Sequence, residues 1–198
     1  MTPHERRASL SLAGLFAMRM LGLFLVLPVF ALEAAHYSGG DHAAKVGLAM
    51  GIYGLVQACL QIPMGAASDR WGRKPVLVLG LLIFALGSAI AASATSIDGL
   101  LVGRAIQGAG AISAAITALL SDLTRPQVRT KGMALVGISI AAMFALSLLI
   151  APPLAARIGL SGLFGLTAFM ALLGVMLTLF GVPAEPARAR STSGWIDL

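Results

Sequence analysis

Charge is scarce in this chain: only 11% of its 198 residues are Asp, Glu, Lys or Arg, against about 25% in a soluble domain. It has one cysteine, Cys59, inside an apolar run. A disulfide framework and a cysteine metal site are therefore excluded, and Cys59 reads as a small hydrophobe. The 8 acidic residues fall outside the middles of the long apolar stretches. With neither paired carboxylates nor a nucleophile with its base at depth, an enzyme acting inside the membrane has nothing to work with. His36 and His42 flank Asp41 near Glu33, but their spacing does not match a tight metal site, so neither a metal nor a cofactor is expected.

What fills the chain instead is apolar surface: 58% hydrophobic residues and a mean hydropathy of +0.92, the mark of an integral membrane protein. The net charge of +6 would suggest a nucleic-acid partner in a soluble chain. Here the cations sit in short segments between apolar runs, where they set topology.

A bilayer core of about 30 Å takes about 20 apolar residues per helix. Six stretches qualify, roughly residues 10–32, 46–67, 76–94, 100–120, 132–156 and 163–182. Runs this long in lipid must satisfy their own backbone groups, so they are helices and the fold class is all-α. The first run carries Arg19 in its middle and lacks a small-x-small cleavage site, so it reads as a retained helix and not as a secretory signal. Arg6, Arg7, Arg70, Arg73, Lys74, Arg125, Arg129, Lys131, Arg188 and Arg190 fall on one side, Lys45 and Arg157 on the other. The positive-inside bias puts both termini in the cytoplasm. Residues 1–182 then form the bundle, and residues 183–198, with Pro186 and a Ser-Thr-Ser-Gly stretch, a cytoplasmic linker or tail.

A weak internal repeat runs through the spans. Arg19 and Arg104 are 85 residues apart, as are Gly47-Leu-Ala-Met and Gly132-Met-Ala-Leu, and Pro63 and Pro152 follow late in their spans. A three-helix unit has an odd span count, so its second copy runs inverted through the membrane.

The interior residues bear two readings each. A mid-membrane cation costs about 2.5 to 3.5 kcal/mol on insertion scales, so Arg19 and Arg104 face either a polar cavity or capped carbonyls within the bundle. Tyr53, Gln57 and Gln61 recur every four residues and form one polar stripe on the second span. That stripe lines a cavity or makes interhelical hydrogen bonds. Glu33, at the outer end of the first span, is either a titrating carboxyl raised by partial burial or a solvated loop acid.

Between the second and third spans stands Gly65-x-x-x-Asp69-Arg70-x-Gly72-Arg73-Lys74-Pro75. This pattern closely resembles the signature of the major facilitator superfamily. Further strings, among them Arg19-Met-Leu-Gly22, Gly51-Ile-Tyr53-Gly-Leu55, Gln61-Ile-Pro63 and Leu119-Leu-Ser-Asp122-Leu-Thr-Arg125, resemble the YajR-type branch of its drug:proton antiporters over nearly the whole chain. The resemblance implies the N-terminal six-helix half of the major facilitator fold, built as two inverted three-helix repeats. It implies that Asp69, Arg73 and Asp122 form a cytoplasmic latch of the outward-facing state. Gly65 and Gly72 would allow its turn, with Arg70 and Lys74 facing the cytoplasm or lipid headgroups.

Arg104-x-x-Gln107-Gly108-x-Gly110 is similar to a fourth-helix motif of proton-coupled carriers, implying an arginine that tunes proton transfer or contacts an anionic group. Ser147-x-x-x-Ala151-Pro152-x-x-Ala155-Ala156 resembles an antiporter motif in which every glycine is replaced by another small residue. The expected function is proton-coupled efflux of a small molecule by alternating access at a bacterial inner membrane. Its partners are protons, substrate, lipid and a C-terminal six-helix half in cis or in trans. The rival expectation is a truncated, non-transporting module that needs a second polypeptide.

Overall fold

The computed structural model describes residues 1–183 and is helical almost throughout. The sequence assigns a tail to residues 183–198, and all of it beyond Pro183 lies outside the described residues. Helix α1 (Pro3–Ala34) opens on a capping box, in which Glu5 N–H donates to the Thr2 hydroxyl and Thr2 N–H donates to the Glu5 carboxylate. At 1.5 Å per residue its 32 residues reach about 48 Å. It therefore extends past a bilayer core, with residues 3–9 ahead of the apolar run. Helices α2 (Ala43–Trp71) and α3 (Arg73–Ser93) meet at Gly72. Gly72 has φ +100° and ψ 152°, a conformation essentially confined to glycine.

Two stretches depart from the expected spans. Residues 100–120 were expected as one helix, but the structure has α4 (Ile97–Ala109) and α5 (Ser113–Asp122), broken at Gly110, Ala111 and Ile112. Close packing accompanies the break: a Cβ on Gly110 would lie 2.4 Å from the carbonyl oxygen of Gly80 on α3. Residues 132–156 and 163–182 fall in one helical run, α6 (Pro126–Met176), closed by a wider turn at Leu177–Gly181. The run leaves helical geometry at Gly159 (φ 65°, ψ −178°), a single-residue kink where residues 157–162 were expected to turn. Among the described residues, five helical stretches are long and apolar enough to cross a membrane.

Lipid tails are as apolar as the side chains, so helices in a membrane are held by close packing more than by a hydrophobic difference. The crossing of α3 and α4 shows this, because a Cβ on Gly103 would sit 2.7 Å from the backbone nitrogen of Ala91. Toward one end Leu12, Leu15 and Phe16 of α1 pack with Leu77, Leu81, Ile116 and Leu120. Toward the other, Leu25, Val29 and Phe30 pack with Ala151, Ala155, Leu160 and Phe164. At that second end the connections are tied: Ser38 N–H donates to Thr95 O (3.3 Å), Ile97 N–H donates to Ser38 O (3.0 Å), and Lys45 meets Asp98 at 3.2 Å. The apolar window of α1 is 56% buried, whereas those of α2 and of Pro126–Gly181 are 11% buried. Those two stretches present apolar surface that the described residues do not cover.

Candidate functional site

At the end of the bundle that carries Arg6 and Arg7, the α2–α3 junction packs Arg73 into a nearly closed position, 6% exposed. Arg73 is the first residue of α3, where the helix dipole is positive and a cation is disfavoured. Anions offset this. Its Nη2 lies 2.6 Å from Asp69 Oδ1 on the last turn of α2, and its Nε lies 3.2 Å from Asp122 Oδ2 at the end of α5. Nη1 donates to the Ser68 hydroxyl (2.7 Å), which donates to Gly65 O (2.7 Å). The structure thus brings together Asp69, Arg73 and Asp122 and adds Ser68, which the sequence did not single out.

The surrounding residues differ in what the geometry asks of them. Gly72 makes the turn. Gly65 lies inside α2, and a Cβ there would meet Ala114 Cβ at an ordinary 3.6 Å; the expectation that Gly65 allows the turn is corrected. Arg70 is exposed. Lys74, expected to face cytoplasm or headgroups, donates to the Val182 carbonyl (2.7 Å) at the close of the last helix.

A second ion pair stands at the same end. The Glu5 carboxylate accepts from Arg125 Nε (2.7 Å), Nη2 (3.2 Å) and backbone N–H (3.2 Å), joining α1 to the start of α6. Glu5 precedes the apolar run. The hydrogen bond from the Arg125 side chain, then that from Thr2 N–H, pull its carboxyl from 4.5 to about 2. The signal for it was in the sequence: Thr2-Pro3-His4-Glu5 is a capping-box pattern with proline in the first helical turn.

In the middle of the bundle, Arg19 and Arg104 are each 1% exposed, and their surroundings differ. Arg104 is enclosed by its own chain. Nε donates to Ala49 O (3.3 Å), Nη2 to Met50 O (3.1 Å) and Nη1 to Gln107 Oε1 (3.5 Å). Its guanidinium lies 5.7 Å from the Phe30 ring centroid and 5.1 Å from that of Tyr53, within cation–π range. Gln107 in turn donates to Ser88 (2.7 Å), whose hydroxyl donates to Phe84 O (2.7 Å).

Arg19, on α1, draws on four other elements. Nη1 donates to Ser113 Oγ (3.3 Å); Nη2 reaches Tyr53 Oη (3.0 Å), Gln57 Oε1 (2.9 Å) and Gly110 O (3.2 Å). The Phe84 ring centroid lies 5.2 Å from its guanidinium carbon. Among the described residues Arg19 Nε has no hydrogen-bond partner, and neither does Gln61 Oε1 farther along the same α2 stripe. Tyr53 also donates to Gln57.

Glu33 stands apart from this cluster, in the last turn of α1 and partly exposed. Burial first, and then the Glu33 charge, push the nearby Tyr37 phenol up. Ser147, Ala151 and Ala155 are buried, with the Ser147 hydroxyl donating to Phe144 O (2.7 Å), while Pro152 is exposed. Ala151 and Ala155 lie in the α1–α6 seam. Among the described residues no group of His, Cys, Asp and Glu is placed to hold a metal ion.

Residues 12–197 match the family model described as Major Facilitator Superfamily. The chain belongs to the Major Facilitator Superfamily. It is 51% identical over 183 residues to the inner membrane transport protein YajR of Escherichia coli (strain K12), a match covering 92% of this chain and 40% of that protein. The multidrug resistance protein MdtH of Yersinia enterocolitica is 39% identical over 112 residues, 56% of this chain and 28% of that one. Among solved structures, the human organic anion transporter MFSD10 (TETRAN) superposes with a TM-score of 0.77 at 24% identity, covering 92% of this chain and 48% of that chain. That likeness is one of fold. The chain spans less than half the length of the curated relatives it matches, 40% and 46% in two of them. Members of the superfamily are membrane transporters and not enzymes, and this chain is a membrane-spanning member.

Proposed function

We propose that the chain is the N-terminal six-helix half of a proton-coupled carrier that exports small molecules by alternating access. In this reading Pro126–Gly181 crosses twice, because 56 residues would reach about 84 Å as one helix, far beyond a bilayer core. The end bearing Arg6, Arg73 and Arg125 faces the cytoplasm, both termini included, as the positive-inside bias requires. The spans then form two inverted three-helix repeats.

The observation that carries the reading is the Arg73 junction. A buried cation at a positive helix end is held by Asp69 from α2 and Asp122 from α5, so three elements are tied at one point, with Asp69 left mostly exposed (62%) for a further contact. That contact is the N-terminal helix dipole of the other half, which a carboxylate favours. It holds one of two states, and protonation elsewhere in the carrier shifts their populations by binding them unequally. Tyr53, Gln57 and Gln61, with Arg19 behind them, form the polar wall along the substrate path, and Gln107 holds Arg104 in place from the α3–α4 packing.

The test is dye efflux in vesicles carrying the expressed carrier, with and without a proton gradient. Efflux should stop when the gradient is collapsed and fall strongly in Asp69→Asn. Efflux indifferent to the gradient overturns proton coupling, and wild-type efflux in Asp69→Asn removes the latch. A module that works only with a second polypeptide is favoured by the little-buried windows of α2 and Pro126–Gly181. It is distinguished by efflux that appears only on co-expression of the second half.

A further inference from the structure

The interior of this half is electrically unbalanced. Arg19 and Arg104 are buried there, while the acids among the described residues, Glu5, Glu33, Asp41, Asp69, Asp98 and Asp122, all lie at or near helix ends or in connections. A cation in a low-dielectric interior is stable only with well-placed partners. Arg104 has them. It holds two carbonyls and Gln107 between two aromatic rings, and each of its three guanidinium nitrogens has an acceptor.

Arg19 is different in two respects. Among the described residues its Nε is buried without a partner, and it lies at the break in the fourth span. Nη2 holds Gly110 O at the end of α4, and Nη1 holds Ser113 Oγ at the first residue of α5. The first-turn N–H groups of a helix have no intrahelical acceptor. The cap residue of α5, Ile112, supplies no side-chain acceptor for them. The guanidinium, the carbonyl end of α4 and the N–H end of the ten-residue helix α5 therefore meet at one point inside the membrane. Arg19 engages the carbonyl end through Gly110 O, whereas the N–H end of α5 has no side-chain cap, and an anion beside the guanidinium would serve both donors. Ser113 and Gln57 are partly exposed, so the cluster is reached from the uncovered side of the bundle.

We infer that Arg19, Ser113 and the start of α5 form a subsite for one anionic oxygen group, a carboxylate, sulfonate or phosphate, of the transported molecule. Broken membrane helices present their N-termini to anions for the same reason. Arg19 is the binding residue, Ser113 a second donor, and Arg104 a structural brace behind them. The role in transport rests on the carrier reading; the binding does not.

The experiment is equilibrium binding to the expressed carrier in lipid nanodiscs, followed by ligand-induced thermal stabilisation. The probes are benzoate, benzenesulfonate and phenyl phosphate, with neutral benzamide as control. At least one anion should bind about 10- to 100-fold more tightly than benzamide, the range set by a charge-assisted hydrogen bond. Arg19→Gln should abolish the preference, and Arg19→Lys should keep part of it. Arg19 also braces the fold, so Ser113→Ala serves as the second variant; it should weaken the anion about tenfold and benzamide by less, so that the preference narrows. Arg104→Gln should lower thermal stability and leave the anion preference in place.

Equal binding of all anions and benzamide overturns the inference, as does a preference that survives both Arg19→Gln and Ser113→Ala. If a carboxylate of the facing half already occupies Arg19, anion and amide will bind alike, which also overturns it. Anion binding without a response to the proton gradient removes the proton-coupled reading and leaves the subsite. Proton-driven efflux with no anion preference does the reverse.

Discussion

Replacing Arg73 with methionine, which keeps the length and removes the charge, tests the junction between α2, α3 and α5. Three contacts are lost, and their exposure sets their weight. Asp69 is 62% exposed, so its pair with Arg73 belongs with surface pairs, at about 0.2 to 1 kcal/mol. Asp122 is 32% exposed, and a hydrogen bond to a charged group there contributes about 1.5 to 3 kcal/mol. Ser68 keeps its own donation to Gly65 O, so losing Arg73 as a donor costs it little. The sum for Arg73→Met is about 2 to 4 kcal/mol. The expected order of destabilisation is Arg73→Met, then Asp122→Asn, then Asp69→Asn, the last within about 1 kcal/mol of wild type.

Equilibrium unfolding in detergent measures this order, and vesicle efflux measured alongside it separates packing from gating. A latch residue should abolish efflux without unfolding the bundle, so Asp69→Asn should be stable and inactive. An Asp69→Asn variant as unstable as Arg73→Met would refute the exposure argument, since a mostly solvated carboxylate would then be worth as much as a buried one.

The other predictions concern single positions. The Glu5 carboxyl is held down to about 2, so its contribution is fully present above 4.5 and fades only as pH falls toward 2. Hydrogen-exchange protection at residues 2–8, corrected for intrinsic rates, should be equal at about pH 7 and about pH 5; a loss in that window counts against the pair. Gly72→Ala places a side chain at φ +100° and should cost about 1 to 3 kcal/mol, read as a fall in melting temperature, whereas Gly65→Ala should be nearly neutral. In a Cys59→Ser background, cysteine at position 57 should react with a water-soluble thiol reagent, because Gln57 is partly exposed on the polar stripe; no labelling in any state counts against the cavity.

Much of the site was legible because it is local. Asp69 and Arg73 are four residues apart across a tight turn, and Tyr53, Gln57 and Gln61 share a face by periodicity alone. The capping box at Thr2 and Glu5 is equally local, but its second half, Arg125, is 120 residues away and no spacing rule reaches it. The contrast between the two arginines was hidden for the same reason. Arg19 and Arg104 look alike as single cations in apolar runs, and only Arg104 lies in a motif similar to that of proton-coupled carriers. Their neighbours come from other helices, and these make Arg104 a filled brace and leave Arg19 with an unused donor.

Apolar runs by themselves determined that the chain is helical and crosses a membrane, because lipid offers the backbone no other partner. The hairpin motif by itself pointed to the family, because its residues are adjacent and their geometry is covalently constrained. The tertiary structure decided that the fourth span breaks. Gly110 is a weak signal in a stretch apolar enough to continue, and the break there accompanies its close approach to Gly80 of α3. It also decided which buried charges are satisfied, since a hydrogen bond depends on distances between helices that no one-dimensional pattern contains.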